Sequence, residues 1–189
     1  MSPSSLDAEI ALRGEGWVPD EAGTWHRRGA RVIVLDDEHR LLLLHGFSTE
    51  DSKVHWWFTI GGGVLPGEDD RTAAARELRE ETGFVLAADE LTGPVATHTA
   101  TFPMFGRLCR QDEVLFVAHV PSGMAMTDGG WAAIERATID AMRWWDLQEL
   151  LTSPATVYPR GLAEHAHHLV TDGWDGAVWD FGDSAGEQP

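Results

Sequence analysis

Three glutamates at helical spacing are the residues of this chain whose types and positions most clearly suggest chemistry. Glu77, Glu80 and Glu81 stand at i, i+3 and i+4, which places three carboxylates on one face of an α-helix. Like charges at this spacing repel, and negative side chains in the last turn oppose the helix dipole, at about 0.3–1 kcal/mol per charge. A divalent cation that prefers oxygen ligands turns that repulsion into attraction. The spacing therefore predicts a magnesium or manganese site.

A glycine-rich loop and a capped helix must position these carboxylates. Gly61 to Gly63 can bring the backbone close to a ligand, and Pro66-Gly67 is a turn signal. Asp69 or Asp70 is the expected N-cap of the helix, and Gly83 is its natural C-terminal stop. The sequence thus predicts a bending loop that leads directly into the acidic helix.

The stretch from Gly62 to Phe84, GGVLPGEDDRTAAARELREETGF, resembles the complete Nudix box. That box is the signature of hydrolases acting on nucleoside diphosphates linked to another group. An arginine-led hydrophobic hairpin (31–44) and an aromatic strand (54–60) precede it, and both are similar to the same region of family members. The resemblance implies a Mg²⁺-dependent hydrolase that cleaves a diphosphate (pyrophosphate) linkage by attack of water at phosphorus.

The resemblance also implies a set of metal ligands. It assigns Glu77, Glu80 and Glu81 as side-chain ligands of Mg²⁺, with Mn²⁺ as an alternative ion. The backbone carbonyl of Gly61 is expected to be a further ligand. Glu68 is expected to act on the metal through water or through the surrounding hydrogen bonds.

Arg76 and a general base complete the predicted chemistry. Arg76 adjoins Glu77 and can pair with Glu80 one turn on, so we expect it to orient the carboxylates. The base is Glu77 in some family members and an acidic residue outside the box in others. Glu113 and Glu135 are the outside candidates, and no sequence rule chooses between them.

Elsewhere the chain alternates strands and helices, which indicates an α/β protein with helices on both faces of a sheet. The resemblance narrows this to a Nudix-type α/β/α sandwich with a mixed central sheet. We expect an N-terminal extension (1–29), one Nudix domain (30–173) and an acidic flexible tail (174–189). A further strand is expected to begin at 84–86, an apolar loop at 102–106, and a long connection with one helical turn at 121–140.

Composition limits the partners. The net charge of −17, from 14 basic and 31 acidic residues, disfavours duplex nucleic acid and anionic membranes. Cys109 is the only cysteine, which excludes an internal disulfide and fits a reducing cytoplasm. We expect a cytoplasmic protein with a small nucleotide or nucleotide-linked substrate. Tryptophans in the N-terminal extension make a homodimer conceivable.

The substrate itself is not encoded in the box. Trp56, Trp57, Phe102 and Phe105 could stack on a nucleobase, although aromatic residues on or beside strands more often pack in a core. Two other functions stay open on the same fold. One is a catalytically silent nucleotide sensor, and the other is a prenyl diphosphate isomerase, whose nucleophilic cysteine context is not evident in this sequence.

Overall fold

The computed structural model describes residues 13–14 and 16–185. The strands are β1 (Val18–Pro19), β2 (Trp25–Asp36), β3 (Arg40–Phe47), β4 (His55–Phe58), β5 (Ile60–Gly63), β6 (Thr92–Met104), β7 (Arg107–Val120), β8 (Ile139–Asp146), β9 (Val157–Tyr158) and β10 (Trp179–Asp183). The α-helices are α1 (Asp70–Thr82), α2 (Ala133–Thr138), α3 (Leu147–Thr152) and α4 (Leu162–Thr171), and a 3-10 turn spans Ala88–Glu90.

Strand β2 lies at the centre of a mixed sheet. One edge pairs in parallel with β7 over the whole strand, from Trp25 opposite Cys109 to Asp36 opposite Val120. The other edge pairs antiparallel with β5 and then with β3. Strands β6 and β10 extend the sheet beyond β7, while β8, β4 and β9 extend it beyond β3. Both parallel and antiparallel pairs are present, as the sequence predicted.

Helices cover both faces of this sheet. Successive residues of a strand point to opposite faces; Val32 and Val34 pack with Ala74 and Leu78 of α1. Ile33, on the opposite face, packs with side chains of α3 and α4. Burial on both faces explains why β2 and β3 appear in the sequence as continuous apolar runs rather than alternating ones. The predicted fold class is confirmed.

Helix α1 begins and ends at the caps suggested by its sequence. The side chain of Asp69, rather than that of Asp70, accepts hydrogen bonds from the backbone N–H groups of Arg71 and Thr72. Gly83 ends the helix in the left-handed conformation with φ 79°, where a residue with a Cβ would be strained. The turn predicted at Pro66-Gly67 is also present.

Three local expectations are wrong. Gly61 to Gly63 lie in strand β5 rather than in a loop, because glycine lets β5 approach β2 closely; a Cβ on Gly61 would lie 2.3 Å from the carbonyl oxygen of Ala30. Residues 102–104 continue strand β6, since Phe102 pairs with Cys109 across the β6–β7 hairpin. No strand begins at 84–86.

Two elements bear on the expected division of the chain. Strand β2 runs across the boundary at residues 29 and 30, and β10 lies within the segment expected to be a tail, paired with β6. Trp17 and Trp25 are buried in the chain itself, 2% and 3% exposed, beside Cys109. The division into three segments stays a prediction, as does a homodimer, for which these tryptophans no longer argue. Among the described residues, none of the helices has the length and apolar character needed to cross a membrane.

Candidate active site

Three carboxylates meet where α1, β5 and α2 come together. Glu77 and Glu81 lie on the buried face of α1, 7% and 2% exposed, and α2 contributes Glu135. One oxygen from each carboxylate lies within 4.8 Å of the others. We call these three residues the carboxylate trio.

Burial sets the electrostatics of Glu77 and Glu81. Removal from water raises the pKa of Glu77, against the opposing effect of Arg76. Burial also raises the pKa of Glu81 well above its usual range, and the charges of Glu77 and Glu135 add to the rise. Carboxylates in this condition favour a bound proton or a bound cation. Clustered hard oxygen donors of this kind fit Mg²⁺ or Mn²⁺.

The glycines of β5 hold the two helical carboxylates in place. The backbone N–H of Gly61 donates a hydrogen bond of 2.6 Å to Glu81 Oε2. A Cβ on Gly62 would lie 2.8 Å from the carboxylate atoms of Glu77, so only glycine leaves that carboxylate its room. The carbonyl of Gly61, the predicted backbone ligand, accepts a hydrogen bond from Arg31.

Arg76 connects the remaining box glutamates. Its Nε and Nη2 donate to the two oxygens of Glu68, each at 2.9 Å. Its Nη1 donates to Glu77 Oε1 at 2.7 Å and to Glu80 Oε2 at 3.1 Å. The hydrogen bonds from Arg76 lower the pKa of Glu68. Arg76 thus contacts three carboxylates at once, which is the arrangement expected of an orienting residue.

The structure groups the predicted ligands differently from the sequence. Among the described residues, Glu77 and Glu81 belong to the trio, whereas Glu80 does not; its side chain is 37% exposed and pairs with Arg76. Glu68 is paired with the same guanidinium and also accepts from the backbone N–H of Leu65 at 3.0 Å. The roles of Glu77, Glu81, Glu80, Glu68 and the Gly61 carbonyl as metal ligands all remain predictions.

The two outside candidates for the general base occupy different surroundings. Glu113 is buried and accepts hydrogen bonds from Arg31 at 2.7 Å and Gln111 at 2.6 Å, and it lies 2.8 Å from His98 Nδ1. Burial alone would raise the pKa of Glu113, but the charge of Arg31 and the hydrogen bond with His98 outweigh it and lower the pKa to about 2. Glu135, in contrast, belongs to the trio.

A segment between β7 and β8 carries Glu135 to the trio. Its Thr127 N–H donates to the Thr82 carbonyl at 2.9 Å, and Trp131 Nε1 donates to the Glu81 carbonyl at 2.9 Å. Gly130 touches the backbone of Glu80, where a Cβ would lie 2.3 Å from the carbonyl oxygen. Sequence reasoning missed this docking, and the glycine pair 129–130 was the feature that could have indicated it.

A cavity of about 220 Å³ shares helix α2 with the trio. Trp56, Phe58 and Phe102 give it aromatic walls, and Arg31 and Glu113 give it a charged edge. Helix α2 connects the two sites, because Ile134 and Thr138 line the cavity while Glu135 belongs to the trio.

The other two aromatic candidates are placed elsewhere. Trp57 packs edge to face on Trp145, with ring centroids 5.0 Å apart. Phe105 lies at the tip of the β6–β7 hairpin with φ 51°. Of the four aromatic residues considered from the sequence, the structure brings Trp56 and Phe102 to the cavity.

Comparison with known proteins places this geometry in a family. A "Putative 8-oxo-dGTP diphosphatase" of Bacillus subtilis (strain 168) is 35% identical over 105 residues, covering 55% of this chain and 60% of that protein. An RNA pyrophosphohydrolase of Dinoroseobacter shibae is 36% identical over 74 residues, covering 39% of this chain and 44% of that protein. The chain therefore spans less than two thirds of the length of either relative.

The fold has solved counterparts as well. The crystal structure of a MutT protein from Methanosarcina mazei Go1 superposes with a TM-score of 0.52 at 18% identity, covering 77% of this chain and 96% of that one. Identity at this level supports the fold alone. The family model described as NUDIX domain matches residues 25–166, which is most of the chain and includes every residue of the carboxylate trio. The chain belongs to the NUDIX family.

Proposed function

We propose that this protein is a Mg²⁺-dependent hydrolase that cleaves the diphosphate linkage of a nucleotide or nucleotide-linked substrate. The observation that carries the proposal is the carboxylate trio, in which Glu77 and Glu81 are buried, connected through helix α2 to an aromatic cavity. A diphosphate is the part of a substrate that needs concentrated positive charge, and a nucleobase is the part that needs a flat apolar wall. Family membership and the names of the two relatives support the same class of reaction.

Two members of the trio supply ligands for the cation. Glu77 and Glu81 would hold Mg²⁺ from α1, with Glu80 and the Gly61 carbonyl near enough in sequence to complete the set. Bound Mg²⁺ supplies charge neutralisation on the phosphoryl oxygens and makes a nearby water more acidic. Arg76 keeps the Glu77 carboxylate in place through its 2.7 Å hydrogen bond and is itself anchored by Glu68.

Glu135 is the general base in this proposal. The oxygen of a water molecule attacks one phosphorus, its proton passes to a carboxylate, and the bridging P–O bond breaks with the second phosphate as leaving group. A carboxylate whose pKa is lowered to about 2 by Arg31 and His98 accepts a proton poorly, which disfavours Glu113. Glu135 lies with the ligands and is free of such an ion pair with Arg31 or His98.

The cavity would hold the nucleobase. Trp56 and Phe102 provide faces on which a planar ring can stack, and Arg31 and Glu113 provide a donor and an acceptor at one edge. Replacing Trp56 by Ala should therefore raise KM more than it lowers kcat. Trp174→Ala is the matched control, because Trp174 is 39% exposed and does not line the cavity.

A substrate panel tests the proposal. Purified full-length protein with Mg²⁺ is offered nucleoside triphosphates, dinucleoside polyphosphates and nucleoside diphosphate sugars, in water enriched with ¹⁸O. We expect Mg²⁺-dependent turnover of at least one class, with ¹⁸O found in a phosphate group of a product. If the protein binds nucleotides tightly but turns none over with Mg²⁺ or Mn²⁺ present, it is a nucleotide sensor and the proposal is wrong.

A further inference from the structure

Two imidazoles and a carboxylate meet on three neighbouring strands at a place that the proposed reaction does not use. His45 lies on β3, His55 on β4 and Asp140 on β8, and one ligand atom from each lies within 4.8 Å of the others. We propose that these three residues form a second metal site, which binds a divalent transition ion of the Zn²⁺ type. We call it the histidine site.

A β-bulge directs Asp140 into this site. Strand β8 pairs with β3 so that Ile139 lies opposite Gly46 and Ala141 lies opposite His45. Asp140 is therefore an extra residue of β8 that has no residue opposite it on β3. Bulges of this kind redirect a side chain out of the regular alternation of a strand. Here Asp140 Oδ1 comes to 2.5 Å from His45 Nδ1. The backbone irregularity and the carboxylate contact therefore occur at the same residue.

The register of β3 and β4 brings the two imidazoles together. Phe47 pairs with His55 and His45 pairs with Trp57, so the histidines are diagonal neighbours on one face of the sheet. Their rings are parallel within 1°, with centroids 5.2 Å apart. Strands hold side chains more precisely than loops do, so rotation of these three side chains would be enough to bring them around one ion.

The donor set indicates the class of ion. Imidazole nitrogens suit Zn²⁺, Ni²⁺ and Cu²⁺, whereas Mg²⁺ and Ca²⁺ favour oxygen ligands alone. Two histidines and one carboxylate match a Zn²⁺ site with three protein ligands and one open position. His55 and Asp140 are exposed, so an ion can reach the site from solvent.

The histidine site is separate from the carboxylate trio. Side chains alternate along β4, so His55 and Trp57 lie on one face, and Trp56 and Phe58, which line the cavity, lie on the other. His45 follows Leu43 at the strand period, and Leu43 packs on the face covered by α3 and α4. Helix α1, which carries Glu77 and Glu81, covers the opposite face. Occupation of one site therefore leaves the other accessible.

Calorimetric titration of the full-length protein with Zn²⁺ in saturating Mg²⁺ tests the inference. We expect one Zn²⁺ to bind per chain. The Glu81→Gln variant, in which the carboxylate trio is impaired, should bind Zn²⁺ with the same affinity. His55→Ala should weaken Zn²⁺ binding by at least the roughly 10–100-fold that loss of a supporting contact costs a metal site. Asp140→Asn, which keeps the size of the side chain, should weaken binding in the same direction.

His168→Ala is the matched control. His168 on α4 is an exposed histidine paired with Asp172 at 2.8 Å, so it reproduces a histidine and carboxylate pair, and among the described residues no second imidazole completes a metal-binding group with it. Its loss should leave the Zn²⁺ affinity unchanged. Circular dichroism of each variant verifies the fold. Wild-type protein that binds no Zn²⁺ beside Mg²⁺, or folded His55→Ala and Asp140→Asn variants that bind Zn²⁺ as tightly as wild type, would overturn the inference.

Discussion

Glu81 Oε2 accepts a 2.6 Å hydrogen bond from the backbone N–H of Gly61, in the interior of the protein. This contact joins the last turns of α1 to strand β5, and through β5 to the central strand β2. A side chain of the acidic helix is thereby held by the sheet rather than by its own helix. The position of the carboxylate trio consequently depends on the glycines of β5 as much as on the glutamates.

Gly62→Ala should lower the affinity for Mg²⁺, whereas a glycine substitution outside β5 should lower only the stability of the fold. The added Cβ would lie 2.8 Å from the carboxylate of Glu77 and displace it, so we expect Mg²⁺ affinity to fall roughly 10–100-fold, as for other contacts that orient a ligand. Gly67→Ala, in the turn that follows β5, is the control. Its Cβ meets nothing within 4 Å but its φ is 83°, so it should cost about 1–2 kcal/mol of stability without changing Mg²⁺ affinity. Calorimetric Mg²⁺ titration and urea unfolding measure the two quantities.

Arg76→Lys should impair catalysis although it keeps the charge. A lysine cannot reproduce the two parallel hydrogen bonds to Glu68 together with those to Glu77 and Glu80. We expect roughly a 10–100-fold loss in kcat/KM or in Mg²⁺ affinity. Arg79→Lys, an exposed position on the same helix, should behave like wild type. Equal activity of the two variants would show that Arg76 does not orient the carboxylates.

Gly130→Ala should move Glu135, the proposed base, away from Glu77 and Glu81. The new Cβ would lie 2.3 Å from the carbonyl oxygen of Glu80, so the segment that carries Glu135 must shift from α1. We expect kcat to fall strongly while Mg²⁺ still binds through Glu77 and Glu81. Gly129→Ala is the neighbouring control, because its Cβ would meet only Thr127 Oγ1 at 3.3 Å. Steady-state kinetics that do not distinguish the two variants would argue against Glu135 as the base.

Acid should remove the stability that Glu113 contributes. Its pKa is lowered from 4.5 to about 2 in the folded protein, so its contribution is present above pH 4.5 and is lost as the pH falls toward 2. The shift corresponds to roughly 3 kcal/mol at most. We expect wild type to exceed Glu113→Gln in unfolding free energy at pH 7, and the difference to shrink by pH 3. Urea unfolding at both pH values measures it, and a difference that grows on acidification would refute the assignment.

How far sequence reasoning reaches depends on the range of the interactions. Helix α1 could be predicted with its caps, since Asp69, Gly83 and the carboxylate spacing act within a few residues. The contacts of Arg76 with Glu77 and Glu80 could be predicted for the same reason. Local patterns also sufficed for the apolar strands β2 and β3, because burial on both faces demands continuous apolar runs.

Long-range contacts account for what was missed. Gly61 to Gly63 have the composition of a loop, and only pairing with β2 makes them a strand. The choice between Glu113 and Glu135 likewise depends on distant partners: Arg31 and His98 hold the first, and the close approach of Gly130 to α1 brings the second to the trio. No spacing in the sequence encodes either arrangement.

Turnover by Glu81→Gln tests the central claim most directly. The substitution keeps the size of a side chain that is 2% exposed and replaces one carboxylate oxygen of the trio by an amide nitrogen. With the substrate selected from the panel, we predict that kcat/KM at saturating Mg²⁺ falls by more than the roughly 10–100-fold expected for loss of an outer contact. Glu164→Gln, at an exposed position of α4, should retain wild-type turnover. Wild-type activity in a folded Glu81→Gln protein would contradict the claim that the carboxylate trio is the metal centre.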